Sequence, residues 1–271
     1  MITSNVGEPR GILNPTTGKT KFHLSLHAPV ADLHAFIEHY WIVSWDLRGQ
    51  EPYLSETLPH PCVHLVIEQD QSRIVGVMRG KFSQLLTDTG RVFGAKFRPG
   101  AFYPFAKTPV SLFTDTSTQL CEVFGTESTT LEKMLLSQDN EEAMVKLMED
   151  FLRARLPEED ENVGVIRQIV DQIIADREIT KVDSLVSQLN ITKRTLQRLF
   201  SQYVGVSPKW VIQRYRLHEV AERVASGEVI DWPKLALELG YFDQAHFIKD
   251  FKTIVGKAPA TYARQSDLDC F

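Results

Sequence analysis

The reading turns on Thr192-Lys-Arg-Thr-Leu-Gln-Arg-Leu-Phe-Ser-Gln-Tyr203. Its apolar positions Leu196, Leu199, Phe200 and Tyr203 follow the i, i+3, i+4, i+7 spacing that gives one buried stripe on an amphipathic helix. Arg194, Gln197, Arg198 and Ser201 repeat that spacing on the opposite face. Thr192 stands where a helix N-cap belongs. Arg and Gln are shaped for bidentate pairing with base edges in a major groove. A basic helix by itself is weak evidence, because solvated charged faces are common.

The stretch recurs, and this raises its weight. Leu196, Phe200, Gly205 and Pro208 return 51 residues later as Phe247, Phe251, Gly256 and Pro259. Upstream the offset is 50, from Leu185 and Leu189 to Leu235 and Leu239, so the second copy has one residue more in its turn. Each copy reads as a short helix, a tight turn at Asn190 or Gly240, and a longer helix, which is the helix-turn-helix unit.

With these residues in place, positions 163–264 resemble the C-terminal DNA-binding domain of AraC/XylS-type transcription regulators. The resemblance is carried by Thr195-Leu-Gln-Arg-Leu-Phe200, Gly205-Val-Ser-Pro208, Leu237-Glu-Leu-Gly-Tyr241, Asp243-Gln244, His246-Phe247, Phe251-Lys252 and Gly256-x-x-Pro259. It implies double-stranded DNA as partner, at an operator or promoter, and RNA polymerase as the second partner of an activator.

The chain has 271 residues, of which 43% are apolar, enough for two cores. No run approaches the ~18–20 apolar residues of a membrane span. Met1-Ile-Thr-Ser-Asn-Val-Gly-Glu8 shows no basic segment followed by an apolar one, so a cytoplasmic protein is expected. Cys62, Cys121 and Cys270 are too few and too scattered for a disulfide framework. The net charge of −5 speaks against nucleic acid until its distribution is read. Residues 162–271 carry 15 bases and 13 acids, against 15 and 22 in residues 1–161. Between Asp183 and Glu219 stand six bases and no acid: Lys193, Arg194, Arg198, Lys209, Arg214 and Arg216. A local basic face matters more for phosphate contact than the total.

The expected fold class is α+β. Residues 1–156 form a β-rich, cupin-like barrel with trailing helices, a sensor half by family resemblance. Residues 157–162 form an acidic linker, and residues 163–265 an all-α domain with two helix-turn-helix units joined by a long helix. Residues 1–20 read as an irregular arm. Strands are expected over Lys21–His27, His39–Leu47, Val63–Gln69, Ser72–Met78, Phe82–Thr87 and Arg91–Phe97. Helices are expected over Ala31–Ile37, Thr116–Phe124, Thr129–Ser137 and Glu141–Arg155. The last has Met144, Leu147, Met148 and Phe151 on one face, for packing on the barrel or for a homodimer. Beyond the linker, helices are expected over Val163–Asp176, Lys181–Leu189, Pro208–Ala225, Trp232–Leu239 and Asp243–Val255, with a short mobile tail at Ser266–Phe271.

The N-terminal residues of a recognition helix face base edges. On the first unit the expected contacts are Thr192, Lys193, Arg194, Gln197, Arg198 and Ser201. On the second they are Gln244, Ala245, Ile248, Lys249 and Lys252. Ala245 and Ile248 offer a groove only apolar contact, for example with a thymine methyl, so the second unit is expected to anchor phosphates more than to read bases. His246 is expected to be structural. Leu196, Leu199, Phe200, Trp210, Trp232, Phe247 and Phe251 are expected in the core.

In the first half, His60-Pro-Cys-Val-His64 would place His60, Cys62 and His64 on one face if extended. Two imidazoles and a thiol suit zinc or another soft metal, although a pocket strand without metal is the preferred reading, and no metal or other cofactor is assigned. Phe93-Gly-Ala-Lys-Phe-Arg-Pro-Gly100 resembles a strand-plus-turn motif of uncharacterised relatives; its Arg98 suits an anionic effector or a plain surface position. The function expected is a sequence-specific transcription regulator, an activator answering a small-molecule signal, and not an enzyme. The alternative is a metal-binding cupin-like enzyme or metal sensor with an attached DNA-binding module. No Gly-rich phosphate loop, nucleophile elbow or Cys-x-x-Cys supports the alternative.

Overall fold

The structure is a computed structural model that describes residues 11, 13, 15–125, 128–225 and 227–268. Its first half is built on two glycines facing two tryptophans. In the pair of β2 (Ile37–Asp46) and β7 (Thr89–Phe97), Trp41 lies opposite Gly94 and Trp45 opposite Gly90. The indoles cover these glycines so closely that a Cβ at either would overlap the ring. On the other face Tyr40, Ile42, Phe93, Ala95 and Phe97 are buried, with Tyr40 paired to Ala95 and Ile42 to Phe93. A bulge between Ile37 and His39 keeps Ile37 on the buried face as well.

The chain opens with α1 (Pro15–Lys21) and β1 (His23–His27), and β3 (Tyr53–Thr57), β4 (His64–Ile67), β5 (Arg73–Val75) and β6 (Phe82–Leu86) lie between β2 and β7. After β7 come α2 (Tyr103–Ala106), β8 (Ser117–Thr118), α3 (Leu120–Phe124), α4 (Ser128–Leu136) and α5 (Glu141–Arg153). The expected barrel is not formed. Six antiparallel strands make one open sheet in the order β1-β2-β7-β4-β5-β8, and β3 pairs with β6 separately. The face that a barrel would fold onto opposite strands is covered by helices, through Leu120, Leu131, Leu135, Met144, Met148 and Leu152. The α5 stripe is therefore committed to its own sheet.

Other expectations are corrected locally. Ala31–Leu33 is a single 3-10 turn, because the chain is already extended from Ile37. Thr116–Phe124 divides into β8 and α3, and the strand at Ser72–Met78 shrinks to β5. The arm at 1–20 lies partly outside the described residues, but Pro15–Lys21 is helical, not irregular. Within it, Leu13 N–H donates to Glu56 O at 3.0 Å and Gly11 O accepts from Leu58 N–H at 2.7 Å.

The second half comprises α6 (Glu161–Ala175), α7 (Val182–Leu189), α8 (Lys193–Leu199), α9 (Pro208–Ala225), α10 (Trp232–Glu238), α11 (Gln244–Val255) and α12 (Pro259–Leu268). The acid run ends in a cap, since Asp160 accepts from Asn162 N–H at 2.9 Å and opens α6. The expected mobile tail is helical through Leu268; its last three residues lie outside the described ones. The apolar core runs without a break from the sheet through Ile166, Ile169 and Ile173 of α6 to Leu196, Phe200 and Tyr203. A second core joins Leu13 and Leu58 to Leu217, Val220, Phe247 and Phe251.

The two halves meet at equivalent points of the repeat. Gly205 and Gly256 both adopt left-handed backbone, with φ of +93° and +86°. At Gly205, Thr114 Oγ1 donates to the carbonyl at 2.7 Å, and a Cβ would stand 3.0 Å from Thr114 Oγ1 and from Val110 O. At Gly256 the side chain of Lys81 occupies the space of a Cβ. We expect Gly205→Ala to lower unfolding stability by about 1–3 kcal/mol, from backbone strain and crowding. Gly164 lies in α6 with no heavy atom within 4 Å of a Cβ, so Gly164→Ala is expected to gain about 0.5–1 kcal/mol. Denaturant titration of the three proteins checks both; equal effects would refute this account of Gly205.

Candidate nucleic-acid interface

The first unit is α7, a turn, and α8. Asn190 makes the turn at φ +51°, a conformation that Asn tolerates better than most residues. Thr192 then accepts from Thr195 N–H at 3.1 Å and starts α8 as expected. Leu196, Leu199, Phe200 and Tyr203 are buried, so the inner stripe is in place. The helix does not run evenly to Tyr203. From Phe200 to Val204 it widens into a π turn, closed by Gly205 N–H on Phe200 O at 2.8 Å.

Thr192, Lys193, Arg194, Gln197, Arg198 and Ser201 are all exposed. Lys193 is ion-paired across the turn with Asp183 at 2.5 Å. Ser201 donates to Ser111 of the N-terminal half at 3.3 Å, so that half borders the exposed face of α8. Arg194, Gln197 and Arg198 remain as a cluster of long donors on one face.

The second unit repeats this design with the extra residue visible. Asp231 caps α10, Gly240 turns at φ +78°, and Asp243 accepts from His246 N–H at 2.7 Å to start α11. Two residues, Tyr241 and Phe242, separate the turn from the cap where the first unit has only Ile191. Tyr241 is buried, whereas Phe242 is 93% exposed beside Gln244. Sequence reasoning noted the inserted residue but did not see that it would present an aromatic ring to solvent. Gln244, Ala245, Lys249 and Lys252 are exposed, and Ile248 is half-buried against the second core. Asp250 is turned inward, accepting from Gln213 Nε2 at 2.8 Å.

The basic run is smaller than its sequence suggests. Arg214 and Arg216 are buried, so four of the six bases reach the surface. Arg216 donates to the carbonyls of Ile173, Asp176 and Ile179 and ties α9 to the end of α6. Arg214 donates to Pro59 O at 2.5 Å and to His60 Nδ1 at 3.1 Å, so the N-terminal motif and the long helix are joined by a buried guanidinium.

That motif does not form a single face. His60 and Cys62 lie in the loop before β4, and His64 is the first residue of the strand. His64 Nδ1 accepts from Trp41 Nε1 at 3.2 Å, and His60 faces Arg214 and Lys96. Cys62 Sγ stands 3.9 Å from Glu38, which is ion-paired to Lys96 at 2.9 Å. Among the described residues no group of three or more His, Cys, Asp or Glu is placed to hold a metal. Arg98 Nε donates to His34 O at 2.7 Å.

Burial sets the charge of this region. It pushes the His64 imidazole down to about 3 and His39 to about 4, and takes His60 well below its usual value, with Lys96 acting in the same direction. It raises the Cys62 thiol to about 12, so this sulfur is no thiolate. Glu38 is half-buried, and desolvation would raise its carboxyl, but the charge and hydrogen bond of Lys96 prevail and keep it low.

Two family models match the chain. Residues 185–265 match a helix-turn-helix domain, and residues 25–119 a domain of unknown function (DUF6597). An uncharacterised helix-turn-helix-type transcriptional regulator of Haemophilus influenzae is 28% identical over 87 residues, 32% of this chain and 29% of the relative. Among solved structures, the C-terminal domain of AraT, a response regulator from Geobacillus stearothermophilus, is 26% identical over 36% of this chain and 83% of its own, with a TM-score of 0.33. ToxT from Vibrio cholerae is 10% identical over 90% of this chain and 98% of its own, with a TM-score of 0.37. The helix-turn-helix match over residues 185–265 and the two capped units give the chain a DNA-binding domain of the kind found in transcription regulators. Its C-terminal domain is of the AraC type, joined to an N-terminal β-sheet domain of the DUF6597 family. Among the described residues no helix is long and apolar enough to cross a membrane.

A pH dependence follows from the neutral imidazoles. Unfolded His takes a proton near pH 6.5, whereas His39 and His64 in the fold do so only near 4 and 3. Below about pH 6.5 the unfolded chain therefore binds more protons, and stability falls as pH drops toward 4. Denaturant midpoints from pH 7 to 4.5 should decrease, and less steeply in His64→Gln. An identical slope in that variant would show that His64 does not contribute.

Proposed function

We propose that the chain is a sequence-specific transcription regulator in which residues 163–265 bind DNA and residues 1–156 sense a signal, with residues 157–162 linking them. What supports it most is the exposed cluster of Arg194, Gln197 and Arg198 on a capped helix whose opposite face is fully packed. The first unit reads bases with these three side chains, and Thr192, Lys193 and Ser201 border the contact. The second unit adds Gln244, Ala245 and Ile248 as weak readers, with Lys249 and Lys252 on phosphates. The two helices would enter successive major-groove faces about one turn, ~34 Å, apart.

The mode that fits is activation of a promoter in the cytoplasm through contact with RNA polymerase, governed by a small-molecule effector. The N-terminal domain would transmit its signal at the two junctions already described, Arg214 on Pro59 and His60, and Thr114 on Gly205. His60, Cys62, His64 and Arg98 remain the residues around which an effector would be sought. A homodimer would need a surface other than the buried stripe of α5.

Fluorescence-anisotropy titration against DNA from upstream of the protein's own gene, with scrambled competitor, tests the reading. Arg198→Ala should lose about 1–3 kcal/mol of discrimination between matched and scrambled sites. Lys249→Ala should weaken both about equally and flatten the salt dependence by about one contact. An equal loss of discrimination in the two variants would refute the asymmetry.

A further inference from the structure

A cleft of about 370 Å³ lies where three parts of the molecule meet. One wall is the turn after the first reading helix, Gly205 to Ser207, with Lys209 and Trp210 at the start of α9. A second wall is His246 and Asp250 of α11. The third belongs to the N-terminal domain, through Arg79 and Thr114. A smaller cavity of about 210 Å³ shares Gly205, Val206 and Ser207 and continues to Gln197 and Ser201 on the exposed face of α8. The two together make one trough leading from the first reading helix toward the second.

The trough has cationic groups that can act. Lys209 is exposed and, among the described residues, makes no ion pair. The Arg79 side chain is 63% exposed, and its Nε donates to Asp115 at 2.5 Å. Its terminal amino groups have no recorded acceptor among the described residues, and a guanidinium offers five donors in all. The one acid in the walls, Asp250, is directed at Gln213 Nε2, 2.8 Å away, and His246 Nε2, 3.8 Å away. Ser207 adds a hydroxyl, whose oxygen accepts from Trp210 N–H at 3.2 Å.

A duplex that feeds two successive major-groove faces to α8 and α11 must carry a strand of its backbone past the space between them. We propose that the trough seats this backbone, and that Arg79 of the N-terminal domain contacts a phosphate there together with Lys209. The proposal rests on the DNA-binding reading and extends it, because it makes the sensor half part of the DNA surface. Arg suits the role, since its planar fork meets two phosphate oxygens at once. Asp115 limits it by holding Arg79 in an ion pair. DNA affinity is thus set partly by a pair of residues that lies wholly in the N-terminal domain.

The experiment uses the full chain and a fluorescein-labelled duplex of scrambled sequence, because phosphate contacts do not depend on sequence. Anisotropy titrations are run from 50 to 200 mM salt. Arg79→Gln should lower the slope of log K against log salt by about 0.9 and weaken binding at 50 mM roughly tenfold. Asp115→Asn keeps an acceptor for Arg79 N–H and is tolerated at the φ of +58° found there. It removes the competing charge, so it should tighten binding and steepen the slope. A purely structural pair would make both variants bind worse, and that result overturns the proposal, as does an unchanged slope in Arg79→Gln. If the wild-type chain binds no duplex even at 50 mM salt, the DNA-binding reading itself fails and this inference falls with it.

Discussion

The architecture depends on two glycines, Gly205 and Gly256. Each ends a recognition helix in the left-handed region, where a residue with a side chain would be strained. Each also lacks the Cβ that would keep the N-terminal domain away, and that domain uses the room. Val110 and Thr114 reach the first glycine, and Lys81 reaches the second. The sequence repeat thus has a structural counterpart on its partner, because two segments of the sheet domain grip the same point in two copies of one motif. The α9 helix spaces the units from within, and these contacts brace them from outside.

The polar part of the junction obeys a harsher constraint. Lys96 and Arg214 are both buried, and Lys96 is ion-paired to Glu38. Arg214 is left with neutral acceptors, a carbonyl and an imidazole. Burying a guanidinium is costly unless its donors are satisfied, and removing either acceptor would leave a charge without compensation. His60 must stay neutral to accept, which its surroundings enforce through burial and two nearby cations. The junction is therefore an arrangement with one good geometry. A ligand or a proton that displaced any one member would disturb the others, which is the property required of a coupling element.

Much of the second half was legible because helix-turn-helix units are specified locally. The caps Thr192 and Asp243, the turns Asn190 and Gly240, and the stripes from Leu196 to Tyr203 and at Phe247 and Phe251 are all set within a few residues of sequence. The first half was less legible because its form depends on distant pairing. Alternation identified β1, β2, β6 and β7, but nothing in it tells an open sheet covered by helices from a closed barrel. The strand β3 was missed since its one partner lies 25 residues or more away and its burial alternates only weakly. The site was legible in the same proportion. Exposed Arg194, Gln197 and Arg198 follow from the helix period, whereas the burial of Arg214 and Arg216 could not, as their acceptors lie in other elements.

The two burials change how the net charge should be read. A count of bases between Asp183 and Glu219 treats all six as a field facing the duplex, but two of them serve as internal ties. The surface that remains is modest, and Lys193 is partly balanced by Asp183. A weak field of this kind gives little sequence-independent attraction, since that term grows with the number of phosphates neutralised. On the proposed reading, binding would then rely more on directional contacts of Arg194, Gln197 and Arg198 with base edges. It must also rely on the brace that holds the second helix in register, because a reader with few phosphate anchors gains from each one only if the anchors are already placed. On the proposed reading, the contacts at Gly205 and Gly256 would place them, and the acidic N-terminal domain would contribute to DNA recognition by geometry even where its total charge opposes it.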